Sequence, residues 1–307
     1  MKRAVNCGLV KADNMKQAIL LLSFGTPRQP SDLLPYLTSI RRGKIPTERE
    51  LKVLTARYDA IGQWDNKLLQ TMGEEQKKTL KSLLAIDAMY LAYLHMPNSM
   101  EQAVESIAAA GYTSVLCIVT SPFYSMVGTG AYERKLHSIL RAYPDISCEI
   151  IKSWWNRPQF FEYWRSQLMA ANPLQADTAC IFSAHSVPTS TVGSYEDEVM
   201  SASNQIAKMV GLNHWYQAWQ SAAPHGEWLG PTIESVIEQA LIDGAKRIVC
   251  IPFGFVSDHV EILYDNDIIC RNIVENAGAT YERLPMPNGN TLFMEAMAKA
   301  IRERINK

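Results

Sequence analysis

The chain has 307 residues, 47% of them hydrophobic and 20% charged, with 30 Lys and Arg against 31 Asp and Glu for a net charge of −1. This balance excludes a disordered chain and supplies no global basic field for nucleic acid, and the length predicts about two domains. The six cysteines (Cys7, Cys117, Cys148, Cys180, Cys250 and Cys270) form no C-x-x-C pair. They read as reduced, core-packed thiols of a cytoplasmic protein, not as ligands of zinc or of an iron–sulfur cluster.

Residues 1–14 are polar and patternless and are expected to form a disordered extension, with either Met1 or Met15 as the start. Residues 18–24 make a first strand, stopped by Gly25-Thr26-Pro27. That run is far short of the ~20 apolar residues that span a bilayer, and its flanks are not those of a signal peptide. A short helix over 32–42 carries Arg41 and Arg42 and ends at Gly43. Thr47 and Glu50 form a capping box that opens a helix to residue 61. Residues 62–72 read as irregular, followed by a helix to 84. Next come a strand at 89–94, a helix at 99–110 closed by Gly111, and an apolar strand at 114–120. A loop at 121–130, rich in Pro, Gly and aromatics, leads to a helix at 131–142, a strand at 149–154 and a helix at 159–171.

Beyond Asn172-Pro173 a second unit of the same style begins. Its strands fall at 178–184, 214–220, 247–252 and 279–283, and its helices at 195–210, 232–242 and 258–276, the last opened by Ser257 as N-cap. An amphipathic helix at 292–304 follows. Continuous apolar strands alternating with helices predict an α/β fold of parallel sheets covered on both faces. One constant shift aligns Glu101, Glu105, Gly111, Cys117 and Ile118 with Glu234, Glu238, Gly244, Cys250 and Ile251. Ser23-Phe24-Gly25-Thr26-Pro27 likewise echoes Ser183-Ala184-His185-Ser186-Val187-Pro188, so a duplicated domain is expected.

Open parallel sheets bind ligands beyond the carboxyl ends of their strands, which sets His185 opposite the helix that carries Glu261 and Asp265. Those two carboxylates lie one helical turn apart on one face, and with a histidine opposite they can accept protons and hold a divalent cation. Arg41, Arg42, Lys44 and Arg57 are either a solvated face or a clamp for the carboxylates of a small molecule. Tyr58, Trp64, Tyr124 and Tyr132 offer flat surfaces near the same cleft. No G-x-G-x-x-G follows the first strand, and neither a phosphate-binding G-x-x-x-x-G-K-[ST] loop nor a G-x-S-x-G elbow is present.

Taken with Ile40-Arg41-Arg42-Gly43, Arg57-Tyr58-Asp59-Ala60-Ile61-Gly62, Trp219-Gln220-Ser221 and Trp228-Leu229-Gly230-Pro231, the pairing of Ser-Ala-His-Ser-Val-Pro with Ser-Asp-His-Val-Glu-Ile-Leu-Tyr-Asp resembles the ferrochelatases. The resemblance runs from Gln17 onward and is nearest to the soluble bacterial type that acts on coproporphyrin III. It implies two Rossmann-like domains, at 15–172 and 173–289, with the C-terminal helix at 290–307 packing back on the first. It also implies insertion of Fe²⁺, as a substrate, into a porphyrin, with no tightly bound cofactor and no iron–sulfur cluster. His185 and Glu261 are then the catalytic pair and metal ligands, with Asp265 a further metal-path acid. Phe24, Arg41, Arg57, Tyr58, Asp65 and Tyr132 match substrate-contacting positions. A monomer without nucleic acid or an integral membrane segment is implied, which passes its product to a downstream haem-pathway enzyme.

The chain departs from the family pattern in four places. Phe24 replaces a tyrosine able to ligate iron opposite the histidine. Residues 63–67 rebuild a propionate loop, with Asp65 where a serine is usual and Lys67 nearby. Leu94 and Ile269 replace a lysine and an acid of the outer metal site. Two other readings therefore stay open: a non-catalytic tetrapyrrole or haem binder on the same scaffold, and a chelatase for protoporphyrin IX, another tetrapyrrole or another metal such as cobalt.

Overall fold

A strand buried at every position from Ala18 to Leu22 has to be covered on both faces. The structure, a computed structural model, describes residues 16–66, 68–223 and 225–306, so the 1–14 extension lies outside the described residues. The first half runs β1 (Gln17–Ser23), α1 (Leu33–Ile40), α2 (Glu48–Ala60), α3 (Gln63–Asn66), α4 (Leu68–Leu84), β2 (Met89–Tyr93), α5 (Ser99–Ala109), β3 (Ser114–Val119), α6 (Thr129–Leu140), β4 (Ser147–Ile151) and α7 (Pro158–Ala170). The second runs β5 (Thr178–His185), α8 (Tyr195–Val210), β6 (Trp215–Gln220), α9 (Ile233–Ile242), β7 (Arg247–Ile251), a π-helical segment (Glu261–Cys270), α10 (Arg271–Asn276), β8 (Thr280–Arg283) and α11 (Thr291–Ile305).

The two four-stranded sheets have orders β2-β1-β3-β4 and β6-β5-β7-β8, and every pairing in them is parallel. The order is the same in both halves, so the sequence echo reappears as topology. Gly111 and Gly244 follow the equivalent helices α5 and α9 at φ of 73° and 98°, the left-handed turn that needs no Cβ.

Alternate strand residues feed different cores. Ile19 and Leu21 of β1 join Phe182 and Ala184 of β5 in one shared core, together with Phe160 and Trp164 of α7 and Phe293 and Met297 of α11. Leu20 and Leu22 face outward to Met100, Val104, Tyr132 and Leu136 of α5 and α6. Ile181 faces Ile233 and Ile237 of α9 and Val274 of α10. The helix α11 packs on α4 and α7, as the resemblance implies. Among the described residues no helix is long and apolar enough to cross a membrane.

Three expected elements differ. The strand expected at 149–154 is β4, ending at Ile151. Trp154 leaves the ladder: its backbone N–H donates to Pro122 O at 3.0 Å and its indole N–H to Val119 O at 3.0 Å, inside the shared core. The region expected to be irregular at 62–72 holds α3 and the start of α4. Its polar Gln63-Trp64-Asp65-Asn66 run carries no apolar period to reveal a helix. The helix expected over 258–276, capped by Ser257, starts its turns at Val260 without a side-chain cap, runs as the π-segment to Cys270 and tightens to α10. A sequence pattern reports which side chains share a face; it does not report which carbonyl each N–H reaches, so α and π turns look alike in it.

Candidate active site

The last residue of β5 is His185, delivered to the edge of the cleft by a strand buried at every position before it. Its Nδ1 lies 2.5 Å from the carbonyl oxygen of Ser186, which can only accept, so Nδ1–H donates there and Nε2 is the nitrogen turned toward the cleft. The loop behind it is pinned. Tyr195 donates its hydroxyl to His185 O at 2.9 Å, and Ser186 Oγ donates to Leu229 O at 2.8 Å.

The strand β7 ends in the loop that carries the acids, and Gly254 sets how near this loop comes to β5. Its N–H donates to Ser183 O at 3.1 Å, and a Cβ on it would lie 2.5 Å from Ala184 Cβ. Only glycine allows this approach. The loop then delivers Glu261 as the first residue of the π-segment, with Oε2 3.7 Å from His185 Nε2. Ser221, directly after β6 and held at a φ of 61°, donates Oγ to the same Glu261 oxygen at 3.0 Å. The Glu261 N–H donates to His259 Nδ1 at 3.2 Å, so His259 supports the backbone.

Electrostatics separate the two acids. Burial works to raise the Glu261 pKa, but His185, His259, the Ser221 hydroxyl and Arg57 together outweigh it and hold the carboxyl below its ordinary value. At Asp265 burial wins: with Glu261 and Glu234 adding to it, and Arg57 opposing, the pKa is pushed up to about 6. Arg57 Nη1 stands 3.3 Å from Asp265 Oδ1, and its guanidinium lies 5.0 Å over the Tyr264 ring.

The first half supplies an aromatic wall. Tyr58, buried, stacks on Trp64 with ring centres 5.4 Å apart, and Trp64 donates its indole N–H to Asp59 Oδ1 at 2.6 Å. Tyr58 Oη lies 3.4 Å from Thr26 Oγ1, and burial pushes its pKa up to about 12, so it stays a neutral phenol. Tyr132 is buried and its pKa raised by that burial. Phe24, 46% exposed at the end of β1, packs edge-on against His95 at 4.4 Å and Tyr36 at 6.2 Å. The charge of Glu261 is felt at both Tyr36 and Tyr58, which ties this wall to the acids.

The structure brings together His185, Glu261, Asp265 and Arg57, with Tyr58 on the facing wall. Arg41 does not join Arg57: its guanidinium pairs with Glu50, the capping-box acid that also accepts from Thr47. The side chain of Asp65, like Lys67, lies outside the described residues. Sequence reasoning gave no role to His95, whose Nδ1 lies 3.0 Å from Ser39 Oγ and whose pKa burial and Lys135 hold down to about 4. Its position just beyond β2 is the same strand-end signal that marked His185.

A ferrochelatase family model matches residues 16–305. The coproporphyrin III ferrochelatase of Geobacillus kaustophilus is 33% identical over 302 residues, covering 93% of this chain and 95% of that one. The coproporphyrin III ferrochelatase of Staphylococcus aureus strain Mu50 is 31% identical over 303 residues, covering 94% and 98%. Among solved structures, the sirohydrochlorin chelatase SirB from Bacillus subtilis subspecies spizizenii, in complex with cobalt, superposes with a TM-score of 0.62 at 10% identity, covering 94% of this chain and 95% of that one. CbiX, the terminal enzyme for biosynthesis of siroheme in denitrifying bacteria, gives 0.55 at 13% identity, covering 93% and 98%. At those identities the likeness is one of fold.

Proposed function

We propose, on the premise that this chain belongs to the ferrochelatase family, that it inserts ferrous iron into coproporphyrin III. The chain is a metal chelatase acting on a porphyrin; the choice of coproporphyrin rests on relatives so named at 33% and 31% identity. The observation that carries the mechanism is the His185–Glu261 pair, with Nε2 and Oε2 3.7 Å apart.

Insertion breaks two pyrrole N–H bonds as iron–nitrogen bonds form, so two protons have to leave the ring in each turnover. The free lone pair on His185 Nε2 takes one, and the ionised carboxylate of Glu261 takes the other. One imidazole and one carboxylate also form a weak, borderline-hard donor set that can hold a ferrous ion and give it up to the stronger macrocycle. Asp265, with a pKa of about 6, loads and unloads protons near neutrality and passes them on from Glu261. Arg57 supplies positive charge for the substrate's carboxylates, while Tyr58 and Phe24 line the apolar walls. The cleft between the units at 15–172, completed by 290–307, and 173–289 is where the ring lies. No bound cofactor is needed. We take the enzyme to work as a cytoplasmic monomer that hands its product to a downstream haem-pathway enzyme.

The test is insertion of zinc or iron with coproporphyrin III and protoporphyrin IX side by side. Faster turnover with coproporphyrin is expected, and preference for protoporphyrin would overturn the substrate assignment. One observation favours a second reading, a haem or tetrapyrrole carrier: Phe24 offers no oxygen to a metal on the face opposite His185. Tight haem binding with no insertion into either porphyrin would decide for the carrier.

A further inference from the structure

The side chain of Arg283, at the end of β8, is only 13% exposed and none of the steps above uses it. Its guanidinium forks onto Asp267, Nε to Oδ1 at 2.7 Å and Nη2 to Oδ2 at 2.8 Å. The same Nη2 lies 3.2 Å from Asp258 Oδ1, and Nη1 donates to Leu284 O at 3.2 Å. Asp258 precedes Glu261 in the loop, and Asp267 follows it inside the π-segment. One buried cation therefore grips the chain on both sides of Glu261.

The loop side of the grip is locked again by Asn288, which sits at a φ of 50°. Its Oδ1 accepts the Asp258 N–H at 2.9 Å, its Nδ2 donates to Asp258 Oδ2 at 2.9 Å, and its own N–H donates to Val256 O at 2.9 Å. Asn288 O in turn accepts from Gln76 on α4 at 3.2 Å, which ties the lock to the first half. A buried arginine with two carboxylates is weak evidence for stability, because desolvation offsets much of the attraction. Its planar fork is well suited to fixing geometry, which a lysine's single ammonium cannot do across two acids.

We infer that Arg283 is a positioning residue for Glu261: by joining Asp258 to Asp267 it fixes the turn in which the Glu261 carboxylate meets His185. The inference rests on the chelatase reading above. Neither Arg283 nor its two partners touches the reacting atoms.

The experiment compares Arg283→Lys, Arg283→Met and the double variant Arg283→Met with Asp267→Asn against the unaltered protein. Porphyrin affinity is read by fluorescence quenching, kcat and metal KM by zinc insertion, and folding by thermal unfolding. Arg283→Lys is expected to fold and to bind porphyrin within about twofold, yet to lose about tenfold or more in kcat, the size of effect seen when supporting partners of metal ligands are removed. The double variant, which leaves one fewer uncompensated buried charge, is expected to recover thermal stability over Arg283→Met without recovering kcat. Unchanged kcat in Arg283→Lys, or turnover that returns in step with stability in the double variant, would overturn the inference. Absence of insertion by the unaltered protein would instead strike the chelatase reading, and the positioning role would fall with it.

Discussion

Arg57, on α2 of the first half, sets Nη1 3.3 Å from Oδ1 of Asp265 on the π-segment of the second. One ion pair thus spans the cleft beside His185 and Glu261. It also explains how Glu261 and Asp265 tolerate each other one turn apart: the arginine offsets the second negative charge, although burial still keeps Asp265 near a pKa of about 6.

That value sets a pH-dependent stability. The folded pKa of Asp265 lies above the ~3.9 of an exposed aspartate, so folding favours its protonated form. The contribution is fully present below about pH 4 and lost as pH rises through 6. Asp265→Asn, fixed in the neutral form, should therefore stabilise the metal-free protein at pH 7.5 by on the order of 2 kcal/mol and by much less at pH 4. Urea unfolding at the two pH values measures this, and a less stable variant at pH 7.5 would contradict it.

His185→Ala should reduce metal insertion by about 10²-fold or more while leaving porphyrin affinity nearly unchanged, since it removes a proton acceptor and leaves the cleft walls intact. Stopped-flow zinc insertion with a parallel binding titration separates the two effects. Turnover within a factor of two of the unaltered enzyme would refute the assigned role.

Phe24, directly after β1, is exposed and packs edge-on against His95 and Tyr36. Phe24→Tyr should introduce an oxygen donor to iron and shift the Soret band of the haem-type product complex. An identical spectrum would show that the side chain does not lie over the metal.

Gly254→Ala forces a Cβ to within 2.5 Å of Ala184 Cβ. Overpacking of that kind costs about 1–3 kcal/mol, and relief requires the loop that carries Glu261 to move off β5. Chemical denaturation should show the loss, with kcat falling further than porphyrin affinity. A variant as active and as stable as the parent would mean that the approach is slack.

Much of this arrangement is legible in the chain itself. Strands buried on both faces announce themselves as unbroken apolar runs, and their carboxyl ends mark where His185 and the loop after β7 have to meet. The illegible parts depend on partners far away in sequence. Ser257 looks like a cap, but Asp258 gives its backbone N–H to Asn288, and no helix turn starts there. Arg41 and Arg57 look like one basic cluster, yet each finds a different acid, Glu50 and Asp265. Arg283 and Asp267 are separated by sixteen residues, and only the fold sets their side chains 2.7 Å apart. The π turns themselves differ from α turns in backbone pairing alone, which side-chain periodicity does not encode.

The docking of α11 joins the two halves through one helix. The inner face of the first sheet, with Ile19 and Leu21, shares its core with Phe293 and Met297 of the final helix and with Phe182 of the second sheet. Covering of that face is completed only when α11 docks beside α4 and α7. Deleting or unfolding α11 alone should therefore uncover Ile19 and Leu21 in the first sheet and Phe182 in the second together, because one helix serves both.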